Sequence, residues 1–285
     1  MDLTMYVCPV CKCTQHKHLY TIDQGKLLTC QNCQLVFYVP RPTHEELADF
    51  YNQQSYRQGY AQSVMSSQDF VANRYQELKK IVSKYQPNLF NRSNKTFLDV
   101  GCGLGDLLQL AIADQWQVNG TEISPEAALQ AQENIRNQIL VGDILTLNLP
   151  ENHFDLITIY HVIEHLIDPL PVLKNLQKLL KPEGILFIET PNLDSLGAKI
   201  RGKNWSNIIP PEHINYYSPK SLANSLTIAG FDNSKVFTNA PYKIESVSNW
   251  SKSLQMVARS IYKITPIFGM GAALQAVVFS SKSSN

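Results

Sequence analysis

The chain has 285 residues, 44% hydrophobic and 17% charged, with 25 basic against 24 acidic side chains. That length accommodates a large domain beside a small one, and the composition excludes a disordered or fibrous chain. The balanced charge argues against a nucleic-acid binder, which neutralises phosphate with a clear positive excess.

The opening "MDLTMYVCPV" has no basic start followed by an apolar run, so a secretory signal is not expected and a cytoplasmic setting is. In a reducing compartment paired cysteines serve as metal ligands more readily than as disulfides. Cys8-x2-Cys11 and Cys30-x2-Cys33 lie 18 residues apart. Two such turns present four thiolates to one tetrahedral zinc ion, a closed set that leaves no position for water. The expected zinc is therefore structural. Cys13, His16 and His18 compete for one corner. A polar, tyrosine-rich stretch follows from His44, with helical apolar spacing from Asp69 to Tyr85. Tyr51 and Tyr56 in that stretch are expected to pack or to close over a neighbouring site.

From Thr96 strands and helices alternate. "TFLDV", "WQVNGTE", "QILVGD", "FDLITIY", "ILFIETP", "SKVFTN" and "ALQAVVFS" read as strands. "GDLLQLAIADQ", "SPEAALQAQENI", "DPLPVLKNLQKLLKPEG" and "SPKSLANSLTIAGF" read as helices, with Ser124 and Ser218 as N-caps. The alternation predicts a doubly wound α/β sheet. The late apolar stretch from Ile264 is broken by Pro266, Gly269, Gly271 and Gln275, so it reads as a loop and a buried strand, not as a membrane span.

The first of these strands runs into Asp99-Val-Gly101-Cys102-Gly103-Leu-Gly105-Asp106, and a helix follows. Glycines let a backbone turn sharply and approach a ligand at the carboxyl edge of a sheet. The spacing departs from the dinucleotide pattern, because Asp106 holds the sixth position, and the chain has no G-x-x-x-x-G-K-[ST] loop.

"LDVGCGLGDLL", with "TEIS", "GDI", "FDLITIYHVIEHLIDP", "LLKPEGILFIETPN" and "AGF" in order, resembles the class I S-adenosylmethionine-dependent methyltransferases from about Thr96 onward. The resemblance implies a Rossmann-like seven-stranded sheet. It also implies that Asp99, Gly101, Cys102, Gly103 and Gly105 wrap the methionine part of S-adenosylmethionine and that Glu122, beside Ile123, binds the ribose. Asp143 and Ile144 match positions at the adenine, and Tyr160 and His161 match positions beside the sulfonium. Arg74 matches a basic residue near the cofactor carboxylate, with an exposed helix charge as the alternative. The division implied is 1–43 zinc-ribbon-like, 44–92 helical bridge or lid, and 93–285 methyltransferase domain.

"HVIEH" from His161 also fits the H-x-x-E-H zinc motif of one protease class. The strand directly before it and Asp168-Pro169 directly after it argue against the long helix that motif needs, so Glu164 and His165 are read as ordering the loop. "PPEHINYYSP" after the fifth strand resembles an element of small-molecule and sugar methyltransferases. It makes His213 the candidate general base and Glu212 its orienter or a substrate ligand, with Tyr216 and Tyr217 as candidate pocket walls. The expected acceptor is a small molecule or a sugar-type precursor, with O-methylation favoured over C-methylation. A zinc-containing RNA methyltransferase and a cofactor-binding scaffold without activity are the rivals.

Overall fold

The computed structural model describes residues 5–23, 25–52, 68–240 and 252–280. Three short strands open the chain: β1 (His16–Ile22), β2 (Gly25–Cys30) and β3 (Val36–Val39). Helices α1 (His44–Asn52) and α2 (Gln68–Ser83) lead to β4 (Thr96–Val100). Then come α3 (Asp106–Ala113), β5 (Gln117–Glu122), α4 (Pro125–Gln130), α5 (Glu133–Arg136), β6 (Ile139–Val141) and β7 (Phe154–Tyr160). The chain continues through α6 (Pro169–Leu179), β8 (Leu180–Pro191), α7 (Leu196–Arg201), β9 (Asn215–Tyr216) and α8 (Pro219–Ala229). It closes with β10 (Asn233–Asn239), α9 (Lys252–Ile264) and β11 (Ala273–Phe279).

The large sheet runs β10-β11-β8-β7-β4-β5-β6. Pairings from β8 through β6 are parallel, and β11 lies antiparallel between β8 and β10. This is the doubly wound, Rossmann-like architecture expected. Strand β4 is buried at all five residues and β7 at six of seven, which is why both read as apolar runs without alternation. One core packs α6 and α8 on one face through Leu173, Leu176, Leu222 and Leu226. The other packs α2 and α3 through Tyr75, Leu78, Leu107 and Leu108.

The elements expected from Thr96 onward are all present, two of them with different bounds, and α7, β9 and α9 are additional to that series. The helix over 125–136 breaks in two at Ala131, whose backbone is extended (ψ 149°). Helix α6 ends at Leu179, and "KPEG" belongs to β8. Pro182 has no N–H to donate and turns the residue before it away from helix, so the apolar period stops short of Gly184.

The small sheet, β1-β2-β3-β9, is antiparallel and crosses the whole chain. Its fourth strand comes from the opening of the proline-framed loop's far side: Phe37 pairs with Asn215 and Val36 with Tyr216. Among the described residues, no helix is long and apolar enough to cross a membrane.

Candidate active site

The glycine loop follows β4 at the carboxyl edge of the large sheet. Gly101, Gly103 and Gly105 all have left-handed backbones (φ 70°, 56° and 76°). A Cβ on Gly101 would sit 2.4 Å from Val162, and one on Gly105 2.4 Å from Ile135. Space and backbone thus both demand glycine there. Glu122 at the end of β5 clamps the loop. Its Oε2 accepts from the Gly103 N–H and its Oε1 from the Ser124 N–H, both at 2.9 Å. Cys102 packs its sulfur down on β5, where Gly120 leaves room for it, and burial pushes its thiol pKa up.

Asp99 lies beneath the loop, 5% exposed. Burial raises its pKa to about 7, against a hydrogen bond from Thr158 Oγ1 at 2.6 Å that favours the charge. At the β5–β6 side, Ile123 is 61% exposed and Ile144 is buried. Asp143 Oδ1 accepts from the Leu145 N–H at 2.9 Å, which holds that turn.

A second group gathers where β7 and β8 end. His161 has a left-handed backbone (φ 53°). Its Nδ1 lies 3.1 Å from Glu164 Oε1 and its Nε2 3.4 Å from Glu189 Oε1. Desolvation opposes the charge, yet the Glu164 and Glu189 carboxylates prevail and raise its pKa to about 9. Glu164 is held at about 2 in spite of its burial, chiefly by the His161 hydrogen bond. Thr190 Oγ1 donates to the other oxygen of Glu164 at 2.9 Å.

Arg74 reaches this group from α2. It pairs with Glu189 at 3.3 Å, and its guanidinium lies 4.6 Å from both the Phe70 and the Tyr160 ring centroids. Arg74 is therefore not an exposed helix charge, and it sits over the strand end that carries Tyr160 and His161. The side chain of Tyr51, and Tyr56 as a whole, lie outside the described residues.

The proline-framed loop folds onto this group. His213 Nδ1 bonds the Asn207 carbonyl at 2.9 Å, and its ring meets the His165 ring edge-on at 4.8 Å. A carbonyl only accepts, so His213 carries its proton on Nδ1 and its lone pair on Nε2 when neutral. Burial lowers its pKa and keeps it neutral near pH 7. The Asn207 carbonyl orients the ring. Glu212 contributes its carbonyl, which accepts from His165 Nδ1 at 2.9 Å. His165 then also holds its lone pair on Nε2. Glu164, His165 and His213 bring one ligand atom each within 4.8 Å of one another. Tyr216 and Tyr217 are not pocket walls. Tyr216 is buried and its hydroxyl donates to the His213 carbonyl at 2.7 Å, while Tyr217 lies wholly in the core.

Arg41 ties the loops together. Its Nη1 donates to the Ile214 carbonyl (3.1 Å) and Asn215 Oδ1 (3.0 Å). Its Nη2 donates to the carbonyls of Leu166 (3.0 Å) and Ile167 (2.5 Å). The sequence reading assigned Arg41 no role. Glu189 was missed too, although a carboxylate inside the apolar run "ILFIETP" signals a buried partner.

The four paired cysteines converge. Cys8 Sγ lies 3.5 Å from Cys33 Sγ, and Cys11 Sγ 3.4 Å from Cys30 Sγ. All four sulfurs fall within 4.8 Å of one another. The two turns repeat one geometry. The residue after each pair, Lys12 or Gln34, is left-handed and donates its N–H to the first cysteine's carbonyl. The rivals lie elsewhere: His16 Nε2 bonds the Tyr6 carbonyl, His18 Nε2 bonds Thr21, and Cys13 Sγ accepts from the Gln15 N–H.

Residues 70–236 match the family described as "Methyltransferase domain". The chain belongs to that family, and its large sheet is the class I S-adenosylmethionine-dependent methyltransferase fold. It is 33% identical over 135 residues to the ubiquinone biosynthesis O-methyltransferase of Idiomarina loihiensis, covering 44% of this chain and 52% of that protein. A Coxiella burnetii protein of the same name is 38% identical over 117 residues, covering 38% and 49%. The chain thus spans about half the length of the curated relatives it matches. The fold superposes on the phosphoethanolamine N-methyltransferase 2 of Haemonchus contortus in complex with S-adenosyl-L-methionine. That match has a TM-score of 0.55 at 14% identity and covers 94% of this chain and 71% of that one.

Proposed function

We propose that the protein transfers the methyl group of S-adenosylmethionine to a hydroxyl of a small or sugar-type acceptor, with His213 as general base. The carrying observation is the His213–Asn207 bond, which puts the lone pair of a neutral imidazole on Nε2. The glycine loop supplies a close backbone approach for the methionine part of the cofactor. Glu122 uses one lone pair of each oxygen on the amides that clamp the loop, and carboxylate oxygens have further lone pairs for two ribose hydroxyls. Ile123 and Asp143 fit the rim of the nucleoside side, and Tyr160, His161 and Arg74 fit the sulfonium side. Transfer is an in-line displacement: the acceptor oxygen takes the methyl carbon, the sulfonium leaves as a neutral thioether, and the hydroxyl proton passes to His213.

One observation favours a second reading of the same corner. Two imidazoles with lone pairs on Nε2 beside an ionised carboxylate form a donor set for a divalent cation. In that reading Glu164, His165 and His213 would hold a divalent cation, which would supply Lewis acidity to an acceptor hydroxyl.

The cysteine cluster suits structural zinc. Tetrahedral Zn–S bonds of about 2.3 Å need sulfurs somewhat under 4 Å apart, close to the spacing here. Cys8, Cys11, Cys30 and Cys33 would hold the ion and fold the small sheet around it.

The test uses calorimetric titration with S-adenosylmethionine and a methyl-labelled turnover assay on fractionated cell extract. Glu122→Ala is expected to weaken cofactor binding at least about tenfold. His213→Ala is expected to keep the cofactor affinity and lose about 10²- to 10⁴-fold in turnover. Full activity in His213→Ala sinks the base. Activity that vanishes with a chelator while the cysteine zinc stays bound favours the cation, and label in RNA overturns the acceptor class.

A further inference from the structure

Large apolar side chains stand open to solvent within one short segment: Met256 (66% exposed), Ile261 (46%), Ile264 (51%), Ile267 (79%) and Phe268 (67%). Ile261 and Ile264 lie one turn apart on α9, and Ile267 and Phe268 continue from its end in a 3-10 turn. Folded proteins seldom leave such a patch uncovered unless a partner docks on it.

The charge along this part of the chain has one sign. From Ser246 to Asn285 the sequence has Lys252, Arg259, Lys263 and Lys282 and no Asp or Glu, in a chain whose net charge is only +1. A helix with an apolar side, basic residues and no acids is the pattern of a segment that lies in the boundary of an anionic bilayer. A second copy of this chain is the weaker occupant, because a symmetric contact would set this basic segment against itself.

The patch also has a definite place. Asn192, directly after β8, donates through Nδ2 to the carbonyls of Gly269 (3.0 Å) and Gly271 (2.7 Å). Its backbone N–H bonds the Ala272 carbonyl at 3.0 Å. Two residues earlier, Thr190 bonds Glu164. The turn that carries Ile267 and Phe268 is therefore fastened to the sheet edge where the His161, Glu164 and His213 group lies.

We propose that the segment Lys252–Phe268 docks the protein on an anionic phospholipid surface, with Ile261, Ile264, Ile267 and Phe268 in the headgroup boundary and Lys252 and Lys263 meeting phosphates. Resting on the methyl-transfer reading, this deepens it: the acceptor is an amphiphile whose polar end is presented from a membrane surface.

The experiment is co-sedimentation of the full chain with vesicles of phosphatidylglycerol and phosphatidylcholine, or of phosphatidylcholine alone. The expected result is binding to the anionic vesicles that weakens in high salt, with little binding to the neutral ones. The double variants Ile267→Asp/Phe268→Asp and Lys252→Glu/Lys263→Glu are each expected to lose at least about tenfold in vesicle affinity. Their unfolding curves are expected to match the parent's, since all four residues are exposed. Wild-type protein that stays in the supernatant with anionic vesicles overturns the proposal, as does unchanged binding in both variants. A dimer that Ile267→Asp/Phe268→Asp disperses, without vesicle binding, assigns the face to a second copy instead. Calorimetry with S-adenosylmethionine on the same preparations tests the methyl-transfer reading separately, so either can fail alone.

Discussion

The charge state of Asp99 bears on folding. Its carboxyl is buried under the glycine loop, and its pKa rises from 3.8 to about 7 in the folded chain. A raised folded value means that the native state holds the proton more tightly than the unfolded one. The stabilisation is complete below about pH 3.8 and is lost as pH climbs through 7. Three units correspond to about 4 kcal/mol as an order of magnitude. Asp99→Asn keeps an acceptor for Thr158 and removes the titration. Its melting temperature relative to wild type is expected to rise more at pH 8 than at pH 5, measured without cofactor. A constant offset across that range would show that Asp99 is already ionised at low pH. Residues of this kind were legible early. Glycines, acids and histidines at strand ends stand out because chemistry and backbone strain restrict what fits there. Their partners were not legible: no spacing rule points from His213 to the Asn207 carbonyl, since that contact depends on how a loop folds back.

At the scale of elements, regular pieces were readable because burial and period agree, as in β4, β7 and α6. Helix α8 shows how local signals reinforce each other. Ser218 and Ser221 form a reciprocal capping box, Pro219 opens the helix, and Gly230 closes it in a left-handed turn (φ 96°). What could not be read is β9. Two residues joined to a strand far earlier in the chain have no pattern of their own. Arg41 is the device that makes this pairing matter, since one guanidinium holds Leu166, Ile167, Ile214 and Asn215. Arg41→Ala is expected to cost about 2–4 kcal/mol of stability and to lower turnover more than cofactor affinity, because both loops beside His213 lose a shared anchor. Arg41→Lys should recover only part of that, as a point charge cannot reproduce a fork of donors. Denaturant unfolding with cofactor titration checks both variants. Equal losses in binding and turnover would place the effect in the overall fold rather than in the loops.

For the whole molecule, the two sheets are mechanically joined. The cysteine-bearing turns fold β1, β2 and β3, β3 carries β9, and β9 begins two residues after His213. Asn224 on α8 adds a second tie, donating to the Cys33 carbonyl at 3.0 Å. Removing zinc is therefore expected to act at a distance. If the four cysteines hold the proposed zinc, chelation should lower the melting temperature by about 5 °C or more and reduce turnover while cofactor binding persists. Metal content and thermal unfolding, followed in one dialysis series, check this. An unchanged melting curve after the metal has left would remove zinc from the account of folding.

The same join imposes an order on synthesis. Strand β3 leaves the ribosome with one edge satisfied by β2, while its other partner lies roughly 180 residues further along the chain. At about 5–20 residues per second, that edge stays open for roughly 10–35 s before residues 215 and 216 arrive to close it. An uncovered strand edge is a template for pairing with a neighbouring chain. The nascent protein thus has an interval in which it is most prone to aggregate, and that interval ends only when the loop bearing His213 has been made.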